Sequence, residues 1–466
     1  MLGKIIDFTN DALYSYILII LLVLGGIYFT VRTRFVQFRL IGQQFREVTE
    51  KGSGSGVSSF QALMVSTASR VGTGNIIGVS TAICLGGFGS VFWMWIIAII
   101  GAATAFIEST LAQIYKKRGK DGCYGGPAYY IEAATKKRWL AIVFSVFLIL
   151  TYGLGFNMLA SYNLQSTFSA YKFYDASYTP WIIGFVIALL VAYCLIGGGK
   201  RIVSVTSFLV PIMGAAYILV AIVITLINAA ALPNVFKEIF TGAFNFNAIF
   251  GGFGGSAVMY GIKRGLFSNE AGVGSAPNAS ASADVTHPAK QGLVQVLSVF
   301  IDTLLVCTAT AFMCMTSGVT PPQTSGEAAT YVQNALSATL GGVGPVFVTV
   351  AMILFAFTTL LGNLFYVDKA INYLLAKEPS KTVRNVYYVV AALAIFIGAG
   401  LSADILWNIA DVLMGGMTII NIPIIIYLGK YAMRALRDYE KKLKLGSEIT
   451  FKKEDIGLSD ETDYWN

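Results

Sequence analysis

Ser69-Arg70-Val71-Gly72-Thr73-Gly74-Asn75-Ile76-Ile77-Gly78 lies inside a long apolar segment, roughly 57–85. Two glycines one residue apart weaken a helix there by about 1 kcal/mol each. In lipid, broken backbone is tolerated only where it lines a protein-enclosed cavity. Thr73 and Asn75 bring a hydroxyl and an amide to this break, and Arg70 abuts it. An interrupted membrane helix with small polar residues is how secondary transporters build a mid-membrane site. The competing reading is a glycine-rich face for close helix packing.

The chain around this stretch has 466 residues, 56% hydrophobic and 12% charged, with mean hydropathy +0.68. Soluble domains average about 25% charged residues. The deficit, with repeated apolar runs near 20 residues, points to a polytopic membrane protein surrounded by lipid. The net charge of +8 does not mark a nucleic-acid binder, because basic residues alternate with apolar spans. The five cysteines form no CxxC pair, and their odd number argues against a full disulfide framework. Cys307 and Cys314 lie two helical turns apart, a packing face rather than a metal site. His287, before Pro288 in a polar connection, reads as a solvated or capping residue. An intramembrane enzyme needs a nucleophile–base pair or metal ligands, and neither pattern is present. No cofactor is indicated.

The first apolar span is about 13–31, with no small-residue cleavage site after it, so it reads as a retained helix. Further spans run roughly 57–85, 92–115, 139–170, 180–196, 203–228, 247–282, 292–317, 343–375, 386–402 and 404–430. The expected fold class is an all-α polytopic membrane protein of eleven transmembrane helices. The expected organisation is a transmembrane helix and basic linker (1–56), five spans (57–228), an extracellular connection (229–246), five more spans (247–430) and a charged tail (431–466). Within 316–343, two prolines and several glycines predict a structured outer loop with a helix near 328–336. Assigning connections alternately to the two sides places only Lys4, Lys172 and Lys237 on one side. Arg70, Lys263 and Arg264 fall inside spans, and every other Lys and Arg lies on the opposite side. The positive-inside rule makes that side cytoplasmic, with the N-terminus outside and the C-terminus inside.

Charges inside spans are expensive and usually face a cavity or a partner. Lys263 and Arg264 belong to a second glycine-rich span, Tyr260-Gly261-Ile262-Lys263-Arg264-Gly265-Leu266-Phe267-Ser268-Asn269-Glu270-Ala271-Gly272-Val273-Gly274-Ser275-Ala276-Pro277. It opens the second group of five, as the first break opens the first group. Five is odd, so the two groups have opposite topology. Paired interruptions in inverted repeats are the best sequence pointer to a transporter site.

The run Gly86-Gly87-Phe88-Gly89-Ser90-Val91-Phe92-Trp93-Met94-Trp95 resembles the signature of the alanine/glycine:cation symporter family, the sodium:alanine symporters. So do Gly72-Thr73-Gly74-Asn75-Ile76, the run from Arg264 to Gly272, and His287-Pro288 with Gln291-Gly292 leading into Ile301-Asp302-Thr303. The similarity covers about 57–377. It implies a leucine-transporter-type core of ten helices, sodium or proton coupling, and small neutral amino acids such as alanine and glycine as substrate at the cell membrane. One departure is Asn363, where the family usually has a tryptophan after Thr358-Thr359-Leu360-Leu361-Gly362. Asn363 either shapes the pocket and shifts the substrate range, or faces another helix.

A zwitterionic substrate needs two polar grips. The N-terminal end of a half-helix suits the carboxylate, which points to the backbone of Gly72, Thr73, Gly74 and Asn75. The ammonium wants exposed carbonyls, expected in the second break near Gly265, Leu266, Phe267 and Ser268, with 251–256 as an alternative. Asn157, Ser161 and Gln165 recur at helical spacing and either face the pocket or bond a neighbouring helix. The resemblance implies a sodium site made by the hydroxyls of Thr358 and Thr359 with the carbonyls of Ala68, Val71 and Phe355. Against it stands the ordinary bond from a buried threonine to the preceding turn. Asp302 reads as a charge partner for Lys263 or Arg264, as a coupling-ion ligand, or as part of a structural ion pair. Glu108 reads as structural, and Trp93, Trp95 and Trp181 as interfacial anchors.

Overall fold

The computed structural model describes residues 9–10, 12–50, 56–119, 122–245, 256–377, 379–460 and 462–465. Its helices are α1 (Leu18–Arg32), α2 (Ser59–Arg70), α3 (Gly74–Gly86), α4 (Gly89–Ile114), α5 (Arg138–Ala170), α6 (Thr179–Ile196), α7 (Gly198–Ile227), α8 (Leu232–Ala243), α9 (Ala257–Asn269), α10 (Pro288–Met315), α11 (Ala328–Leu340), α12 (Val343–Leu375), α13 (Lys381–Ala399) and α14 (Ala403–Lys444). Shorter helical turns connect several of them, and Lys117–Gly119 pairs antiparallel with Gly122–Tyr124. Eight helices (α4, α5, α6, α7, α10, α12, α13 and α14) are long and apolar enough to cross a membrane, and α1 and α3 are shorter apolar helices. The chain is an all-α, multi-pass membrane protein.

Local sequence sets the helix starts. Ser58 and Gln61 form a reciprocal capping box at α2, and Ser256 and Ser380 cap α9 and α13. His287 is a cap as well: its Nδ1 accepts the Ala289 N–H at 3.1 Å. It is buried beside Asp438 rather than solvated. The helix expected near 328–336 is α11. Trp93 and Trp95 are half-buried and donate their indole N–H groups to the Ala243 carbonyl and to Thr308 Oγ1.

α14 has 42 residues, about 63 Å at helical rise, twice the hydrocarbon thickness. Its basic end therefore leaves the bilayer, and there the tail folds back onto the bundle. Tyr464 donates to Asp284 Oδ1 at 2.8 Å, Trp465 to the Gln113 carbonyl at 2.8 Å, and Thr286 to the Ile449 carbonyl at 2.7 Å. The Lys116 ammonium sits 3.8 Å from the Tyr464 ring centroid.

Both glycine-rich spans are interrupted. The first breaks between α2 and α3, as expected. The second breaks later than expected: α9 runs unbroken through Gly265, Leu266, Phe267 and Ser268, and unwinding begins at Glu270. The alternative at 251–256 lies outside the described residues except for Ser256. Gly265 serves close packing, because an added Cβ would run into Ile97 of α4. Here the small-residue packing reading holds.

Candidate functional site

At the first break, Val71 leaves the helical region (φ −77°, ψ 88°). The Gly72 N–H, which in a continuous helix would bond the Ala68 carbonyl, turns to Asn75 Oδ1 at 2.7 Å. The Asn75 N–H returns to the Gly72 carbonyl at 3.1 Å. The Thr67 carbonyl keeps the Val71 N–H, but the carbonyls of Ala68, Ser69 and Arg70 lose helical partners, and the amide of Asn75 is used to close its own turn. Gly72 is required by closeness: a Cβ there would fall on Thr359 Oγ1. That hydroxyl is buried and has no hydrogen-bond partner among the described residues, and neither do Nε and Nη2 of Arg70. Arg70 Nη1 donates to Gln295 at 2.8 Å.

Ser69, Arg70, Gly72, Thr73 and Gly74 line a cavity of about 10 Å³ with Thr359, Glu270, Phe156 and Phe267. It has room for about one water molecule. Phe267 closes it, with ring centroids 4.5 Å from Phe156 and 4.8 Å from Trp407. A Cβ on Gly74 would come within 2.8 Å of the Phe267 ring. Nothing larger than a water molecule enters unless this aromatic group moves.

The second break runs from Glu270 to Ala276, followed by the short helix Pro277–Ser280. Glu270, Gly272 and Gly274 take positive φ (54°, 86° and 88°). Side chains from several elements clamp it. Glu270 accepts from Ser69 at 2.9 Å and from Ser275 at 2.6 Å. Glu108 accepts the Gly272 N–H at 3.3 Å and the Asn421 amide at 3.0 Å, and Asn421 also donates to the Gly272 carbonyl at 3.0 Å. The Leu266 carbonyl is occupied by the Glu270 N–H. The helix end leaves the carbonyls of Phe267, Ser268 and Asn269 without helical donors.

The remaining expected residues divide. Asp302 does not pair with Lys263 or Arg264: it accepts from Asn75 at 2.7 Å, Ser268 at 2.8 Å and Thr303 at 2.6 Å. The two cations meet Asp411 of α14 at 3.0 and 2.9 Å, all three buried. Arg264 also stacks 3.9 Å from the Trp407 ring centroid. Thr73 accepts from Asn163 at 3.2 Å. Asn157 accepts from Asn363 at 2.9 Å, and Asn363 in turn accepts from Ser69 at 2.7 Å. Asn363 thus stands one residue behind the cavity, joining α2 to α5. Ser161 is buried with its hydroxyl unpartnered among the described residues, and Gln165 accepts from Tyr174 at 3.0 Å. Thr358 bonds the Leu354 and Phe355 carbonyls at 3.0 and 3.2 Å, the ordinary turn of a buried threonine.

Sequence reasoning missed Asp411, Glu270, Ser69 and Phe156. Asp411 carried a signal, an acid inside the apolar run 404–430. Glu270 stood in the quoted glycine-rich stretch. Ser69 and Phe156 had none beyond adjacency.

The sequence profile of the sodium:alanine symporter family matches residues 1–453. The amino-acid carrier protein AlsT of Bacillus subtilis is 41% identical over 97% of this chain and 96% of its own length. The probable sodium/glutamine symporter GlnT of Bacillus subtilis is also 41% identical, over 97% and 94%. The sodium/alanine symporter AgcS of Methanococcus maripaludis is 36% identical over 90% and 93%. With the profile and full-length relatives in agreement, the chain belongs to the sodium:alanine symporter family.

Proposed function

We propose that this chain is a secondary symporter that carries alanine, glycine or a similar small neutral amino acid together with sodium. The observation that carries the reading is the Thr359 hydroxyl, buried without a partner against Gly72 of the first break. Sodium is a hard cation, and neutral oxygens can replace its water shell. In this reading Thr359 is joined by Thr358 and by the Ala68, Val71 and Phe355 carbonyls. The substrate carboxylate rests on the N-terminal end of α3 at Thr73 and Gly74, where the helix dipole favours an anion. The ammonium rests on the carbonyls orphaned at the end of α9.

Eleven crossings complete the reading: α1, the interrupted α2–α3 span, the interrupted span containing α9, and the eight long helices. They form two inverted groups of five, 57–228 and 247–430, behind the leading helix, with the N-terminus outside and the C-terminus in the cytoplasm. The ion ties the first break to α12, so filling the ion site orders the substrate pocket and raises apparent affinity. One charge crossing 100 mV contributes about 2.3 kcal/mol, roughly 50-fold accumulation.

Labelled alanine uptake into proteoliposomes, with sodium and proton gradients imposed separately, tests the reading. Saturable uptake driven by sodium is expected, with glycine competing and leucine excluded by steric overlap. Equal competition by leucine overturns the size selectivity. Uptake driven by protons alone moves coupling to the buried carboxyl of Asp302. Both gradients belong in the test because one relative is named a putative sodium/proton-dependent alanine carrier. Non-saturating flux indicates a channel. Glutamine belongs among the competitors because of the relative named for it.

A further inference from the structure

The segment between α1 and α2 is built inside out. After α1 the chain turns through Arg34 and Phe35, both at left-handed φ (54° and 55°), into the helices Val36–Arg39 and Ile41–Thr49. Non-glycine residues avoid that region, so two in succession need support. Phe35 N–H bonds the Thr30 carbonyl at 2.8 Å, and Arg39 donates to the Thr33 and Arg34 carbonyls, each at 3.1 Å. Apart from Val36, the side chains buried against protein in these two helices are polar. Buried Gln37 donates to Thr30 Oγ1 and the Ile99 carbonyl, buried Gln44 to the Gln37 carbonyl, and buried Glu47 accepts from Tyr439. The outward face is apolar: Phe35, Phe38, Ile41 and Phe45 are 53, 48, 46 and 58% exposed. It continues the exposed strip of Leu24 and Val31 on α1. Water would reverse this polarity, whereas acyl chains match it.

Arg34 and Arg46 are exposed at either end of this face, on the side that carries most of the chain's basic residues. We propose that residues 33–49 lie in the membrane surface on the basic side and bind an anionic phospholipid. Arg34 and Arg46 each meet headgroup phosphate at their own end of the face, and Phe38, Ile41 and Phe45 meet the acyl chains. The site bears on the first break, because Ile41–Thr49 packs on α10. Gln291 and Gln295 of α10 donate to Ser59 and Ser66 of α2, each at 2.9 Å.

The full-length protein is placed in phosphatidylcholine vesicles with or without a quarter of phosphatidylglycerol, and its unfolding midpoint is read. The anionic lipid is expected to raise the midpoint of the unmodified protein. The double variant Arg34→Gln/Arg46→Gln keeps its midpoint in phosphatidylcholine and loses most of that rise, each guanidinium being worth about a fivefold factor in binding. An equal rise in the variant, or none in the unmodified protein, overturns the site. A rise reproduced by soluble glycerol phosphate shows a free-anion site and overturns the lipid assignment. Phe45→Ser tests the apolar face: a lower midpoint in both lipids supports acyl contact, and an unchanged or higher one overturns it. Alanine uptake read in the same vesicles separates this proposal from the transport reading, since uptake can fail in both lipids while the lipid-dependent shift persists.

Discussion

The first break is short and leaves polar groups waiting, while the second is seven residues long and almost fully engaged. Around Gly72, Thr359 Oγ1 and two nitrogens of Arg70 have no hydrogen-bond partner among the described residues. Around Glu270 to Ala276, Ser69, Ser275, Glu108 and Asn421 occupy the carboxyl oxygens and the backbone of Gly272. A buried polar group left unmade costs about 1–3 kcal/mol. Such a cost persists where a ligand or a motion uses the group. Past the free carbonyls at the end of α9 the second break is therefore read as a rigid frame, and the first as the place where the ion and the substrate carboxylate complete the structure.

The sharpest way to break this contrast is to place one methyl in each interruption. Gly72→Ala drives a Cβ onto Thr359, an overpacking cost of about 1–3 kcal/mol. Sodium-dependent alanine uptake is expected to fall by about a hundredfold or more, with the protein still reaching the membrane. Gly274→Ala forces a side chain to φ 88° against Phe144 and Asn421. Its expected effect is lower folded yield and a lower unfolding midpoint, with uptake per folded molecule largely kept. If the two variants exchange phenotypes, the contrast is wrong.

On stability rather than uptake, the largest effect is expected at the charge cluster on α9. Asp411→Asn leaves Lys263 and Arg264 buried without their carboxylate. Removing one partner of a buried ion pair costs about 3–5 kcal/mol, which thermal unfolding of the purified protein reads directly. A native midpoint with altered sodium dependence would instead make this cluster part of coupling.

The two threonines sharpen the first break itself. Thr359 has an idle hydroxyl, and Thr358 already bonds its own helix. Thr359→Ala is expected to raise the half-saturating sodium concentration about tenfold, near 1.4 kcal/mol, and Thr358→Ala only about twofold to threefold. Thr359→Ser retains the hydroxyl and most of the activity. Equal sodium dependence in both alanine variants and the parent removes the ion from this site.

The smallest effect is expected at the foot of the frame. Burial holds the His287 imidazole below its ordinary value of 6.5, against the opposing pull of Asp438. Lys442 and Lys290 also disfavour its charge. A folded value below the unfolded one means the neutral ring stabilises the fold above pH 6.5, and this contribution is lost as pH falls through the folded value. Unfolding midpoints measured between neutral and acidic pH are expected to fall for the parent and to fall less for His287→Asn, which keeps a capping side chain. Identical slopes would remove His287 from the acid response.

Much of this molecule was legible because lipid leaves few options. Apolar length marked the crossings, and paired glycine runs marked two interruptions. The first was legible because two glycines one residue apart weaken a helix there, and α2 ends at Arg70 with α3 starting at Gly74. The second was misplaced by several residues because glycine has two uses. Gly265 admits α4, whereas Gly272 and Gly274 supply left-handed backbone, and one sequence cannot say which neighbour approaches.

Charge pairing shows the same boundary. The sequence by itself determined that Lys263, Arg264 and Asp302 lie in apolar runs and must find partners, because an unpaired charge in lipid is too costly to keep. Which acid meets which base depended on how α9, α10 and α14 cross. Asp302, on α10, turned to Asn75 and Ser268, and Asp411, more than a hundred residues further on, took both cations. Hydropathy and backbone preference act along the chain and can be read from it. Partner choice acts between helices that only the folded bundle brings within 3 Å, so it was decided by tertiary structure alone.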